Sequence, residues 1–288
     1  MGHIPLRYKF INKEIDIHCG SSWYVNEEFR GNSMSLFFKL IGVSNESIIF
    51  TTTPSQMVMD ILPRFGFDFV NKKSHTYNYI IVINYFNYIK LKFFFKSKLI
   101  LKICSHVLKF FDLRRNSLFF KSCSTNVKIL NHADERFDDL WNRTNKYYSN
   151  TNVRTSRIIN WYCFSNKFHK KKLFGYFENN KLYGYSIFMQ KGKKIKDFEL
   201  IDIWFDHQKE ESIIQLIKYA YDYGYKKKYD RILLSNLPSI VETILLKYKF
   251  YKSRKILNRR YCRVNPKYKV DYMESSKYLV GFQGDYGL

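Results

Sequence analysis

The stretch SIIFTTTPSQMVMDILPRFGF, residues 47 to 67, decides the organisation of this chain, because RILLSNLPSIVETILLKYKFY, residues 231 to 251, repeats its plan. Each is a short apolar run, a three-residue turn segment (Thr51 to Thr53 in the first, Ser235 to Leu237 in the second), a proline, and a helical pattern that ends beside an aromatic residue. With no gap, Pro54 falls on Pro238, Ser55 on Ser239, Ile61 on Leu245 and Leu62 on Leu246. The spacing from Pro54 to Pro238, 184 residues in a chain of 288, is too long for a solenoid repeat and implies duplication of a domain. The length itself has room for two ordinary domains.

Local chemistry assigns the elements around the repeat. Ile48 to Phe50 and Ile232 to Leu234 read as short, fully buried strands. Thr53 is placed to cap the following helix with Pro54 at its first position, where the missing N–H costs nothing. Met57, Val58, Ile61, Leu62 and Phe65 mark one helical face, Pro63 shortens or bends the last turn, and Gly66 supplies the left-handed stop.

In the second half, Val127 to Leu130 reads as a strand, Arg136 to Tyr148 as a helix, and Arg154 to Cys163 as helical or irregular. Three strands follow up to Phe205, with turns at Glu178 to Asn180 and near Lys191 to Lys194. A helix with Ile213, Ile217, Ala220 and Tyr221 on one face comes next. The first half begins only at its equivalent of the second or third strand, so roughly four elements are expected to be missing before Met1, the mark of a truncated or mis-started frame.

The domains expected are residues 1–87, a partial first domain; 88–125, a basic aromatic connector; and 126–288, the second domain. Residues 88 to 115, YIKLKFFFKSKLILKICSHVLKFFDLRR, have helical character with a lysine every few positions. That excludes a membrane span, which needs roughly 20 apolar residues, and leaves a connector packed between the halves or a basic amphipathic helix on anionic lipid. A cytoplasmic protein is the expectation, with peripheral contact at the inner face of the membrane as the alternative that this segment leaves open.

The balance of 49 Lys and Arg against 25 Asp and Glu gives a net charge of +24, suited to an anionic partner or a phosphate-bearing co-substrate. No RNP, zinc-finger or helix-turn-helix signature accompanies it, so a nucleic-acid role is not expected. The five cysteines are widely spaced with no CxxC, which argues against a disulfide framework or a metal site.

The segment Ile15 to Leu40, IDIHCGSSWYVNEEFRGNSMSLFFKL, reads as a strand, a loop containing Arg30, Gly31, Asn32, Ser33, Met34 and Ser35, and a helix that starts with small residues. Such a loop aims backbone N–H groups and a helix N-terminus at one point, where a diphosphate can sit. WYVNEEFRGNSMS resembles the acyl-CoA loop of the GNAT (Gcn5-related N-acetyltransferase) enzymes, with Ser33 and Ser35 where the family has glycine or alanine. The pair Gly66 and Phe67 is similar to the family's ending of the helix after the next strand.

The resemblance implies an α/β (α+β) fold of two GNAT-like domains, each a mixed, splayed sheet flanked by helices, the first of them incomplete. It also implies acetyl-CoA or another acyl-CoA as co-substrate, with Trp23, Tyr24 and Val25 along the pantetheine arm and Arg30 to Ser35 at the diphosphate. The second half has DHQKEES after its strand LIDIWF, acidic and without glycine, and is not expected to bind CoA. There, RTSRIINWYCF and the ending GFQGDYGL resemble segments of tandem GNAT-like proteins, including FemAB-like transferases.

In this family the acceptor attacks the thioester directly, helped by a base and a backbone N–H. His18 and Asp16 on the first-half strand are the candidate bases, and core packing is the competing reading of His18. Cys19 points to the opposite strand face and is set aside as a nucleophile. The family's tyrosine acid is absent, since Leu62 and Pro63 stand there. Trp161 and Asp202 are the candidates for acceptor recognition; a core tryptophan and a structural ion pair are their alternatives.

The expected activity is acyl-CoA-dependent N- or O-acyl transfer to a small-molecule or sugar acceptor, in surface-polysaccharide synthesis by family habit. The alternatives are a FemAB-like transferase using aminoacyl-tRNA and an inactive fragment serving as a binding module.

Overall fold

The computed structural model describes residues 2–21, 23–43, 47–70, 75–92, 97–115, 126–165, 169–192, 195–250, 252–257, 259–274 and 276–280. The strands are β1 (Gly2–Phe10), β2 (Lys13–Ser21), β3 (Ile48–Thr51), β4 (Asp68–Phe69), β5 (His75–Val82), β6 (Val127–Leu130), β7 (Asn150–Asn152), β8 (Lys171–Glu178), β9 (Lys181–Lys191), β10 (Asp197–Phe205), β11 (Arg231–Leu234), β12 (Lys252–Leu257) and β13 (Tyr261–Val264). The helices are α1 (Ser33–Val43), α2 (Gln56–Ile61), α3 (Tyr85–Lys92), α4 (Lys98–Arg115), α5 (Glu135–Thr144), α6 (Ser156–Asn160), α7 (Glu211–Lys226), α8 (Ser239–Lys247) and α9 (Pro266–Glu274).

The fold is α/β with two mixed sheets, as the duplication predicts. Two compact units contain them: Met1–Thr76 with Asn145–Arg154 and Ile256–Leu288, and Tyr77–Thr144 with Thr155–Lys255. The first sheet runs β4-β13-β3-β2-β1-β7 and the second β12-β5-β11-β10-β9-β8-β6. β5 precedes the second half in sequence yet pairs antiparallel with β11, while β13, from the far end of the chain, pairs antiparallel with β3. Tyr77 to Ile80 in β5 correspond to Tyr261 to Val264 in β13 at the 184-residue spacing between Pro54 and Pro238. Equivalent strands are therefore exchanged, and the units follow this exchange and not the linear boundaries after residues 87 and 125.

In the first unit, β1 and β2 form a hairpin from Phe10↔Lys13 to Gly2↔Ser21, closed by Ile11 in the left-handed region at φ 55°. Leu6, Tyr8 and Phe10 alternate inward with Ile17 and Cys19 and pack with Phe50, the period of two expected of a half-buried sheet. β1 lies between β2 and the three-residue β7, which local sequence did not reveal. The other face carries a second cluster in which Phe37 and Leu40 of α1 meet Ile49, Met59, Leu62 and Phe67.

The helix after β3 begins two residues later than expected. Ser55, not Thr53, is its N-cap and accepts from the Val58 N–H at 3.4 Å. Met57 consequently points to solvent and Met59 takes its place in the core. Pro63 converts the end of the helix into a 3-10 turn, Leu62–Phe65, and Gly66 at φ 76° stops it, as read from the sequence.

In the second unit all nine residues of β10 are buried, including three acids. Asp197 is held by Arg231 at 2.5 and 2.9 Å, Glu199 by Lys191 at 3.1 Å, and Asp202 by the Tyr185 hydroxyl at 2.7 Å. These partners offset the cost of burying the carboxylates. Asn179 and Asn180, both at positive φ, close the β8–β9 hairpin where a turn was expected. The helix expected over 136–148 is α5 followed by a 3-10 turn, and α6 passes into a π-helical turn at Trp161–Ser165.

The expected single helix over 88–115 is two helices, α3 and α4, on either side of residues 93–96, which lie outside the described residues. The turn near Lys194, the ending GFQGDYGL and Cys123 also lie outside them. Cys19, Cys104, Cys163 and Cys262 are free thiols.

Candidate functional site

β2 and β3 run parallel but share only two register positions, His18↔Ile49 and Cys19↔Phe50. Beyond them Gly20 and Ser21 continue β2, Thr51 ends β3, and the strands separate. A cavity of about 310 Å³ opens there, lined by Gly20 and Ser21 on one side and Thr51, Thr53 and Ser55 on the other. Its floor is apolar, from Phe37 of α1 and Val58 and Leu62 of the α2 segment, and Trp23 closes it with its indole stacked on Phe37 at 5.0 Å. The packing of α1 against β3 thus shapes the cavity, because Phe37 and Leu62 belong to the same core cluster as Ile49.

His18 lies two residues before Gly20, where β2 begins to line this opening. Its register partner Ile49 faces α1, and adjacent strands present paired side chains on one face, so His18 lies on the cavity's side of the sheet. Its Nδ1 contacts Nε2 of His3, with the rings 4.5 Å apart. Burial, then the charge of His3, lower the pKa of His18 below its ordinary 6.5, while Asp16 acts in the opposite sense. If Nδ1–H is donated to His3, Nε2 keeps its lone pair, the form a general base requires. His3 was missed in the sequence. The hairpin register that sets it opposite Gly20 was the available signal.

Asp16 shares the strand face of His18 but lies one step further from the opening. Its carboxylate is exposed and bound to Arg7 at 3.1 Å, and Arg7 also reaches Glu14 at 3.4 Å. Along β2, His18 is thus nearer the cavity than Asp16, and neither residue is part of its lining.

The segment expected to be an open loop is a 3-10 turn, Glu27–Asn32, running directly into α1. The Phe29 amide donates to Asn26 O and the Ser33 amide to Arg30 O, so these two N–H groups are engaged. Glu27 and Arg30 form an exposed pair at 3.1 Å across the turn, at the i,i+3 spacing. The Ser35 hydroxyl donates to Asn32 O at 2.7 Å. Gly31 is exposed, and a Cβ there would meet nothing within 4 Å. Met34 packs against the α1 core, Val25 is half-buried and Tyr24 projects into solvent.

In the second unit Trp161 is 43% exposed at the start of the π-helical turn, whereas Asp202 has no exposed surface. Asp202 lies close enough to Cys163 to raise its thiol, which burial pushes up to about 12. A contact between Asp202 and an acceptor is thus closed off in this conformation. Asn160 bonds both the N–H and the C=O of Ala133 at 2.8 Å, and Arg154, which belongs to the first unit, is buried there against Thr151 and the ring of Tyr278. These residues of RTSRIINWYCF hold structure. Among the described residues, no group of three or more His, Cys, Asp or Glu is placed to hold a metal ion.

No protein-family model matches the chain, and no curated protein matches it by sequence. Solved structures do match. A GCN5-related N-acetyltransferase from Anabaena variabilis aligns over 93% of this chain and 60% of its own length, with a TM-score of 0.56 at 10% identity. N-myristoyltransferase of Saccharomyces cerevisiae, with bound myristoyl-CoA, aligns over 99% of this chain and 72% of its own, with a TM-score of 0.59 at 12% identity. A probable N-acyltransferase from Enterococcus faecalis aligns over 91% and 58%, at 10% identity and a TM-score of 0.56. The chain thus spans about 60% of the length of the Anabaena and Enterococcus proteins. At such identities the likeness is one of fold: two mixed sheets flanked by helices, as in the GNAT-like acyltransferases.

Proposed function

We propose that the chain is an acyl-CoA-dependent acyltransferase of GNAT type that passes an acyl group directly to an amine or hydroxyl. The observation that carries this reading is the separation of β2 from β3 beyond Cys19 and Phe50, with His18 on the face of the cavity it opens. Beyond that point the two strands no longer share backbone hydrogen bonds, so their inner edges can bond an extended pantetheine chain. The fold likeness to a protein holding myristoyl-CoA supports an acyl-CoA as co-substrate.

In the reaction, the acceptor nitrogen or oxygen attacks the thioester carbon, and His18 Nε2 takes the proton it sheds. The C–S bond then breaks, and the CoA thiolate leaves and is protonated. Trp23, Tyr24 and Val25 border the pantetheine arm, and the turn from Arg30 to Ser35 meets the diphosphate. The acceptor is a small molecule, with sugars and sugar nucleotides first in line.

Calorimetric titration with acetyl-CoA and with a long-chain acyl-CoA, followed by thiol release on an acceptor panel, tests the reading. Heat from neither ligand would end it. Binding of aminoacyl-tRNA in place of acyl-CoA would favour the FemAB-like alternative.

Two results are expected on the turn. Gly31→Val should weaken acyl-CoA binding by about 1 to 3 kcal/mol, the range for losing buried polar contacts, without loss of thermal stability, since the new side chain meets open space. Glu210→Val, at the corresponding place in the second unit, should leave affinity unchanged. Loss from the second substitution and not the first would put the co-substrate in the other unit. Glu27→Gln should tighten binding by a factor of about 2 to 5, because it removes a like charge from the diphosphate's approach and frees Arg30. Calorimetry at low and high salt checks this, and the gain should shrink as salt rises.

A further inference from the structure

We propose that α4 docks the second unit onto an anionic lipid bilayer, its exposed apolar face lying in the interface and a lipid phosphate held in the lysine-lined cavity beside it.

The 18 residues of α4 have two faces of opposite character. Leu101 and Ser105 are buried, and the Asp112 carboxylate accepts from the Tyr85 hydroxyl at 3.1 Å, which fixes the inner face. On the opposite face Leu99, Ile103, Val107 and Phe110 follow helical spacing, joined by Ile100 and Phe111. All six are between 46% and 68% exposed. A continuous stripe of this kind is far more apolar surface than scattered exposed residues create, and it calls for a partner.

Charge selects the partner. Lys98, Lys102 and Lys109 are exposed and fall along one edge of the stripe at helical spacing. Asp112, the one acid in the helix, is turned inward to Tyr85. An apolar face bordered by lysines is the pattern of a helix lying at an anionic membrane surface, where the lysine stems reach the headgroups. Among the described residues no helix is long and apolar enough to cross a membrane, so α4 lies on the bilayer.

A second observation agrees. A cavity of about 620 Å³ opens between α3, α4 and the end of α7, and Lys109, Lys226 and Lys228 line it with His106, Ser105 and Asn84. None of the described residues lining it is acidic. Lys228 adopts the left-handed region at φ 58°, and the last carbonyls of α7 are already taken by the Lys227 and Tyr229 amides at 2.9 Å. The helix end thus presents ammonium groups with its own negative pole largely satisfied. A headgroup phosphate fits that lining.

Vesicle flotation of the full chain tests the proposal, with phosphatidylcholine vesicles lacking or containing phosphatidylserine. The chain is expected to float with the anionic vesicles only, and to release as salt rises. The exposed double substitution Ile103→Asp with Val107→Asp should lower binding by at least about tenfold, and Lys109→Glu with Lys228→Glu by a similar factor, both with unchanged thermal unfolding. Failure of the unsubstituted chain to float with anionic vesicles at low salt would overturn the proposal. So would equal binding to neutral vesicles, wild-type binding by both variants, or light scattering that shows the stripe joining two copies of the chain and the aspartates separating them. None of these readouts depends on acyl-CoA, so the result stands apart from the transferase reading.

Discussion

Replacing His18 by alanine is expected to slow acyl transfer by about 100- to 1,000-fold while changing acyl-CoA affinity little, the signature of a lost general base. The geometry behind the expectation is the location of His18 at the first of the two paired positions before β2 and β3 separate, on the face of α1, with Nδ1 against His3. Burial, then the neighbouring His3, hold the pKa of His18 below 6.5. The neutral, proton-accepting form therefore persists to lower pH than for a free histidine. The acid fall in activity should therefore lie at lower pH than a free histidine would give, and the falling limb should vanish in His18→Ala.

The same shift has a stability sign. A histidine whose folded pKa is depressed binds fewer protons than it does unfolded, so its contribution is intact above 6.5 and is lost as pH falls through the folded value. Asp16→Asn supplies the contrast. Asp16 is exposed and tied to Arg7, so the change should cost a few-fold at most. Collapse of turnover in Asp16→Asn with survival in His18→Ala would reverse the assignment of the base.

What the sequence could reveal was what neighbouring residues enforce together. The apolar run at Ile48, Pro54 before a helix, the bend at Pro63 and the stop at Gly66 are all local, and each is in place. Even there, the sequence offered two caps and the structure uses the second: Ser55 is in the extended conformation and accepts from the Val58 N–H, which leaves Pro54 outside the helix. The stretch from Glu27 to Asn32, read as a loop, is a 3-10 turn held by backbone hydrogen bonds.

Long-range pairing was out of reach. Nothing near β13 says that it completes the sheet of a strand some 200 residues earlier, and the polar Asn150–Asn152 carries no strand periodicity although it forms the edge of the first sheet. His3 was hidden for the same reason: its importance comes from the strand facing it across a hairpin. Asp202 could be recognised as costly to bury, but its partner, Tyr185, sits 17 residues away on the neighbouring strand. The charge of α4 was legible from composition, whereas the face that its apolar residues present needed the packing of Leu101 and Ser105 to orient the helix.

Filling the opening between the strands should have the second large effect. Ser21→Trp puts an indole at the end of β2, where β3 has already turned away and the cavity measures about 310 Å³. Ser21 lines the cavity and is only half-buried at the rim of the sheet, on the strand face away from the Phe37 and Leu62 core, so the larger side chain narrows the mouth without displacing that core. Thermal unfolding should therefore shift little. Acyl-CoA binding should fall by about 100-fold, the equivalent of roughly 3 kcal/mol for steric exclusion from a formed site. Thr53→Trp, on the opposite wall and exposed, should act in the same direction, and the loss should be steeper for a long acyl chain if the apolar floor of Phe37, Val58 and Leu62 receives it. Calorimetry on the two variants with acetyl-CoA and a long-chain acyl-CoA makes the comparison. Unaltered affinity in both, with the fold intact, would show that the co-substrate does not enter between β2 and β3, and the transferase reading of the first unit would fall with it.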